Sequence, residues 1–547
     1  MFKRNLLLLF ILLSAQIKAQ TPAAAAQPKR PKLVVGIVVD QMRWDFLYRY
    51  QSRYSADGFK RMLREGFTCE NTFIPYTPTV TAAGHTCVYT GSVPAIHGVA
   101  GNAWYDRSLK RIMYCSESLS DTVVSVGGDA RNGKMSPANM LTTTITDELR
   151  LATNFKSKVI GVCIKDRGAI FPAGHTANAA FWYDGKTGNW ITSTYYMKEM
   201  PEWLKNLNVR KLPDTYYQKE WNTVQPLNTY TQSTTDEKAY EGKMTGASNT
   251  SFPHILSGYT GKNYDAISST PYGNSMTLDV ARAALDAYQL GKGEVTDFLA
   301  VSLSSTDYVG HRFGPNSIEA EDTYLRLDSD LGSFMKYLDQ KLGKGNYSLF
   351  LTADHGVAHV PGFMNENRIP AGNWENDFLT KNLNTGLKEK FGADSIIQAE
   401  SNYQLYLDDE RIKRVGLNRN NIEEYVIQYC MKIKGVANVF RLADMHKELI
   451  PEYVKNMLVN GYHKKRSGDI QIILEPGWID GGKTGTTHGL WNPYDAHIPM
   501  LWMGWGIKQG ESNRTMQMTD IAPTLSALLN IQMPGGSIGE VMTEVLK

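Results

Sequence analysis

Runs of apolar, β-branched residues that stop abruptly at charged ones set the grain of this chain. "KLVVGIVVD" is unbroken from Leu33 to Val39 and ends at Asp40. "KVIGVCI", Lys158 to Ile164, stops at Lys165, Asp166 and Arg167, and "DFLAVSL", Asp297 to Leu303, runs towards Asp307. "YSLFLTADHG" delivers Asp354 and His355. Continuous rather than alternating hydrophobicity predicts strands buried on both faces. Between them Tyr324, Leu327, Leu331, Phe334 and Leu338 recur at steps of three and four, which predicts an amphipathic helix within 317–341. "TLDVARAALDAYQL", 277–290, predicts another. Alternation of buried strand and helix predicts an α/β fold, a mostly parallel central sheet sandwiched by helices. Ligands of such sheets bind beyond the carboxyl ends of the strands, where these polar residues fall.

Two stretches break the alternation. Residues of about 180–270, rich in Tyr, Thr, Asn and Gly, and of about 360–485 read as cap regions inserted into a single α/β domain over 32–547. At the other end, "MFKRNLLLLFILLSAQIKAQ" places Lys3 and Arg4 before a short apolar run and Ala19 at a plausible cleavage point. Residues 1–19 therefore read as a secretory signal peptide and 20–31 as a flexible lead. No other stretch reaches the roughly 18 apolar residues of a membrane span. A soluble periplasmic or secreted protein is expected, and a monomer.

Composition adds little beyond this. Of 547 residues, 42% are hydrophobic and 21% charged, as in globular proteins. The formal charge of +3 falls to zero once Lys3, Arg4 and Lys18 leave with an acid-free leader, so nothing electrostatic favours a nucleic-acid polymer. The five cysteines lack metal-ligand spacing, and their pairing stays open.

The candidate chemistry lies at the strand ends. Asp40, Asp307, His311, Asp354, His355 and His488 form a mixed oxygen and nitrogen set suited to zinc, with Asp307 and His311 one helical turn apart. Six ligands exceed one tetrahedral site and match two ions, an arrangement that clamps both oxygens of a phosphoryl displacement. "TPTVTAAGHTCVYTG", 77–91, then supplies a nucleophile: Thr81 at a helix start, with Ala82, Ala83 and Gly84 leaving space beside its hydroxyl. Zinc beside that hydroxyl lowers its pKa, and the helix N-terminus favours an anion.

Asp40, "TPTVTAAGH", "GVAGNAWYD", "IKDRGA", "STDYVGH", "TADHG" and "THG", in that order, resemble the alkaline phosphatase superfamily. The likeness is strongest to its PafA-type, phosphate-irrepressible periplasmic members, over essentially the whole mature chain. It implies one Zn2+ on Asp307, His311 and His488, and a second on Asp40, Asp354 and His355 with the Thr81 oxygen. It also implies that Asn102, and Lys165 and Arg167 two apart on an extended segment, contact phosphoryl oxygens. A covalent phosphothreonine would form and be attacked by a zinc-bound water. A monoester exposes three non-bridging oxygens and a diester two, so three donors suit phosphate monoesters.

A phosphodiesterase or nucleotide pyrophosphatase of the same fold is the first alternative, against which the Lys165–Arg167 pair speaks. A sulfatase would need arginine where "SVPAI" has Ile96. A non-catalytic zinc-binding surface protein would need closed metal sites, whereas three protein ligands per ion leave positions open. No clear ligand set for a third metal is present.

Overall fold

The central strand β1 (Leu33–Val39) is buried at all seven positions, as its unbroken apolar sequence requires. The computed structural model describes residues 29–374 and 378–547, so the expected leader lies outside the described residues. Parallel to β1 run β2 (Val159–Cys163), β3 (Ala179–Asp184), β4 (Asp297–Leu303) and β5 (Tyr347–Thr352), in the order β3-β2-β4-β1-β5. These form the centre of an eleven-stranded sheet. Its flanks are largely antiparallel: Asn189–Ser193 beside β3, and Met500–Gly504 beside β5, leading to Phe67–Phe73. The parallel register carries the ends of β1, β2, β4 and β5 to one edge, so Asp40, Lys165, Asp307 and Asp354 leave the sheet on the same side.

The helices that flank this sheet are α1 (Thr81–Thr90), α2 (Asp166–Ala173), α3 (Tyr272–Ala287), α4 (Ser305–Phe313) and α5 (Ile318–Leu342). α5 starts where predicted, because the Ser317 side chain accepts the Ala320 N–H. Every residue of α1 is buried, and Gly91, at φ 62°, ends it in the left-handed conformation. A helix buried on all sides cannot carry long polar side chains, which accounts for its alanines, threonines and glycine.

The first strands of the 180–270 stretch belong to the central sheet, since Phe181, Trp182, Trp190 and Ile191 are buried in it. Short helical turns occupy much of the remainder. The 360–485 stretch builds its own four-stranded antiparallel sheet, Ile397–Ser401, Gln404–Leu407, Ile470–Leu474 and Val436–Arg441. Leu383, Leu405, Ile422, Val426 and Ile472 form a separate core beneath it. A hairpin, Ala103–Asp106 with Arg111–Tyr114, meets this cap where Asn402 Nδ2 donates to the Ala103 carbonyl at 3.0 Å. All five cysteines are buried and free.

β1 meets α1 closely at Gly36, where a Cβ would lie 2.6 Å from Phe350 Cζ and against the Tyr89 hydroxyl. Overpacking of this kind costs about 1–3 kcal/mol. Gly36→Ala is expected to lower the thermal unfolding midpoint measurably in a calorimetric scan, and an unchanged midpoint would contradict this packing.

Candidate active site

Thr81 is the first residue of α1, entered from extended Val80, and is 1% exposed. Its Oγ1 lies 3.5 Å from His355 Nε2 and 3.4 Å from Lys165 Nζ. Asp40, Asp354 and His355 are wholly buried around it. Lys165 Nζ donates to Asp40 Oδ2 at 2.7 Å and to Asp307 Oδ2 at 2.5 Å. Asp307 and His311, both on α4, approach to 3.1 Å, and His488 Nε2 lies 3.6 Å from the same Asp307 oxygen.

The histidines share one arrangement. Nδ1 of His311 donates to the Thr486 carbonyl, that of His355 to Gly356 and that of His488 to Thr79, at 2.7–2.9 Å. A carbonyl can only accept, so each Nδ1 carries the proton and each Nε2 keeps its lone pair. Those Nε2 atoms face carboxylate oxygens at 3.1–3.6 Å. Asp40 Oδ1 and Asp354 Oδ2 are buried without a hydrogen-bond partner. Imidazole lone pairs aimed at carboxylate oxygens, those facing His355 having no hydrogen-bond partner, are what a divalent cation requires. Two groups have ligand atoms within 4.8 Å of one another: Asp307, His311 and His488, and Asp40, Asp307 and His355. Asp307 thus reaches both groups. Asp354 stands just outside the second, 3.5 Å from His355 Nε2, its Oδ1 accepting the N–H groups of Gln41 and His355.

Electrostatics point the same way. Burial, and then the charges of Asp307 and Asp354, push the Asp40 carboxyl well above its usual range. Burial would do the same to Asp307, but His311 and Lys165 outweigh it and hold that carboxyl well below. Burial, followed by His355 and His311, depresses His488. Three carboxylates face one ammonium, a surplus of buried negative charge that cations would offset.

On the far side of Thr81, Asn102 Oδ1 accepts the Ala82 N–H at 2.9 Å, which leaves the Asn102 Nδ2 free to donate. Lys165 is extended, but Arg167 sits in the first turn of α2 rather than on the extended segment expected, because the helix starts at Asp166. Its Nη1 donates to the Tyr114 hydroxyl, whereas its buried Nε has no partner. Lys165, Arg167, Tyr114 and Tyr308 line one cavity of about 230 Å³.

Residues 34–495 match the family described as type I phosphodiesterase / nucleotide pyrophosphatase. The chain belongs to this family. Alkaline phosphatase PhoV of Synechococcus elongatus is 52% identical, over 98% of each chain. A protein of Myroides odoratus named calcium-transporting ATPase is 51% identical over 96% of each. Alkaline phosphatase PafA of Elizabethkingia meningoseptica is 51% identical, over 94% of this chain and 95% of its own. A wild-type PafA crystal structure superposes with a TM-score of 0.93, covering 95% of this chain and 100% of that one. The resemblance to PafA-type alkaline phosphatases and the α/β sandwich thus both hold over nearly the full length.

Within this phosphodiesterase-family fold, two residues outside the predicted site set support the site, and of these Gln41 was not anticipated from the sequence. Gln41, with φ 66°, donates its amide to Asp307 Oδ1 at 2.6 Å and its N–H to Asp354. His85, one turn after Thr81, lies between the Thr81 carbonyl, Ser302 and Asp354. His359 bonds Arg43 and Asn316. Gly84 lets α1 touch Asp354, whose Cβ would be 2.6 Å from an added methyl. Gly84→Ala should therefore lower both bound metal and turnover; metal analysis finding a full complement would overturn this.

Proposed function

We propose that the chain is an exported, zinc-dependent phosphomonoesterase that hydrolyses phosphate monoesters through a phosphothreonine at Thr81 and releases inorganic phosphate. The observation that carries this reading is the meeting of Thr81 and Lys165 beside the carboxylate–histidine groups, with Asn102 bonded to the next residue of the helix and Arg167 sharing a cavity with Lys165. PhoV and PafA, at about half identity, are alkaline phosphatases. One solved PafA variant carries Thr→Ser, Asn→Ala, Lys→Ala and Arg→Ala changes, its threonine and asparagine 21 apart and its lysine and arginine two apart, as here. The chain has no helix among the described residues long and apolar enough to cross a membrane.

Asp307, His311 and His488 would hold one Zn2+, and Asp40, Asp354 and His355 with the Thr81 oxygen the other. The ions would supply Lewis-acid charge that lowers the pKa of the threonine hydroxyl and neutralises the phosphoryl group. Thr81 Oγ1, fixed at the N-terminus of α1, attacks phosphorus as the ester P–O bond breaks and the alcohol leaves. Lys165, Arg167 and Asn102 Nδ2 donate to the non-bridging oxygens, holding the ester for in-line attack and stabilising charge in the transition state. Water then cleaves the phosphothreonine and returns Thr81.

Phosphodiester cleavage is the second reading, favoured by the description of the matched family. Relative kcat/KM on an aryl phosphate monoester and its methyl diester, in zinc-supplemented buffer, separates the two. Thr81→Ala should lose at least about a thousandfold in turnover while keeping its metal. Activity within tenfold of wild type would remove Thr81 as nucleophile. Arg167→Ala should slow the monoester about tenfold more than the diester, and equal losses would favour the second reading.

A further inference from the structure

Arg167 is a long side chain with many rotamers, so its use as an oxygen reader depends on what holds it. Its partner is Tyr114, the last residue of the hairpin. The Tyr114 hydroxyl accepts from Arg167 Nη1 at 2.8 Å and donates to Asp166 Oδ1 at 2.7 Å. Ser116 Oγ donates to the other oxygen of the Asp166 carboxylate. Asp166 thereby has both oxygens satisfied, and it stays 4.0 Å from the guanidinium rather than pairing with it tightly.

We propose that Tyr114, braced by Asp166 and Ser116, is a positioning residue that fixes Arg167 against the phosphoryl oxygen present in a monoester and missing from a diester. This rests on the reading of Arg167 as a phosphoryl contact. A phenol whose proton is committed to a carboxylate is a better acceptor for a guanidinium N–H, because successive hydrogen bonds polarise one another. The relay orients Arg167 through a neutral group, so the cation is not spent on Asp166 and its buried Nε donor stays unsatisfied. The same hairpin starts next to Asn102, whose carbonyl accepts the Cys115 N–H at 3.0 Å. One short element therefore braces two phosphoryl donors, Asn102 at its entry and Arg167 at its exit.

The test is a double-mutant cycle on the zinc-loaded enzyme, measuring kcat/KM for an aryl phosphate monoester and its methyl diester. Tyr114→Phe, which removes only the hydroxyl, is expected to lower the monoester value about tenfold and leave the diester within about twofold. In the Arg167→Ala background the same change should add less than about twofold. Asp166→Asn should shift monoester selectivity in the same direction by a smaller factor. Equal losses on both substrates, or a full Tyr114→Phe loss without Arg167, would overturn the positioning role while leaving Arg167 as a contact. If Arg167→Ala itself spares the monoester, the underlying reading of Arg167 fails instead. Zinc content and the thermal midpoint of each variant identify losses that come from misfolding, and Tyr114→Trp provides a second perturbation of the same bond.

Discussion

Everything at this site answers to one electrostatic constraint: three carboxylates, Asp40, Asp307 and Asp354, are buried within reach of a single ammonium. Isolated in a protein interior such charges are prohibitive, so each needs compensation from fixed dipoles or from cations. The backbone provides part of it, through the Gln41 and His355 N–H groups on Asp354. Gln41 adds its side chain on Asp307, and the three histidines present nitrogen lone pairs because carbonyls hold their other nitrogens. The remaining surplus is what would let the site take up metal beyond the ion pairs that Lys165 makes.

A parallel sheet suits this constraint. Strands hydrogen-bonded in register deliver their carboxyl ends to one edge, and the turns after them are free to carry acids that no strand interior would tolerate. α1 completes the edge by bringing a hydroxyl to the carboxylates without side-chain bulk in between. Its helix starts at Thr81, and its glycine permits contact with the segment bearing Asp354.

Much of this was legible in the chain itself. Uninterrupted apolar runs ending in Asp40, Lys165, Asp307 and Asp354 announce buried parallel strands, and the spacing of Asp307 and His311 announces a helical turn. Less legible was what depends on distant partners. Gln41 reads as an ordinary turn residue, and only its left-handed backbone turns it onto two carboxylates. Tyr114 bonds a residue 53 positions away, a distance no periodicity encodes. The antiparallel flanks were hidden because a short buried strand reads the same in either direction. The sharing of Asp307 between two ligand groups depends on side-chain geometry that order along the chain does not carry.

The hairpin after Asn102 does more than cover the site. Beyond the Asn402 contact, its Tyr105 hydroxyl donates to Gln398 and its Trp104 lies under the Arg466 guanidinium at 4.7 Å, so it is fastened to the cap that carries all three. The cap is therefore continuous, through the hairpin, with the residues that bond Arg167 and Asn102. A change in how the cap seats would reach Tyr114 and Asn102 through this hairpin. On the proposed reading, a change in which esters the cap admits would also change how Arg167 is held.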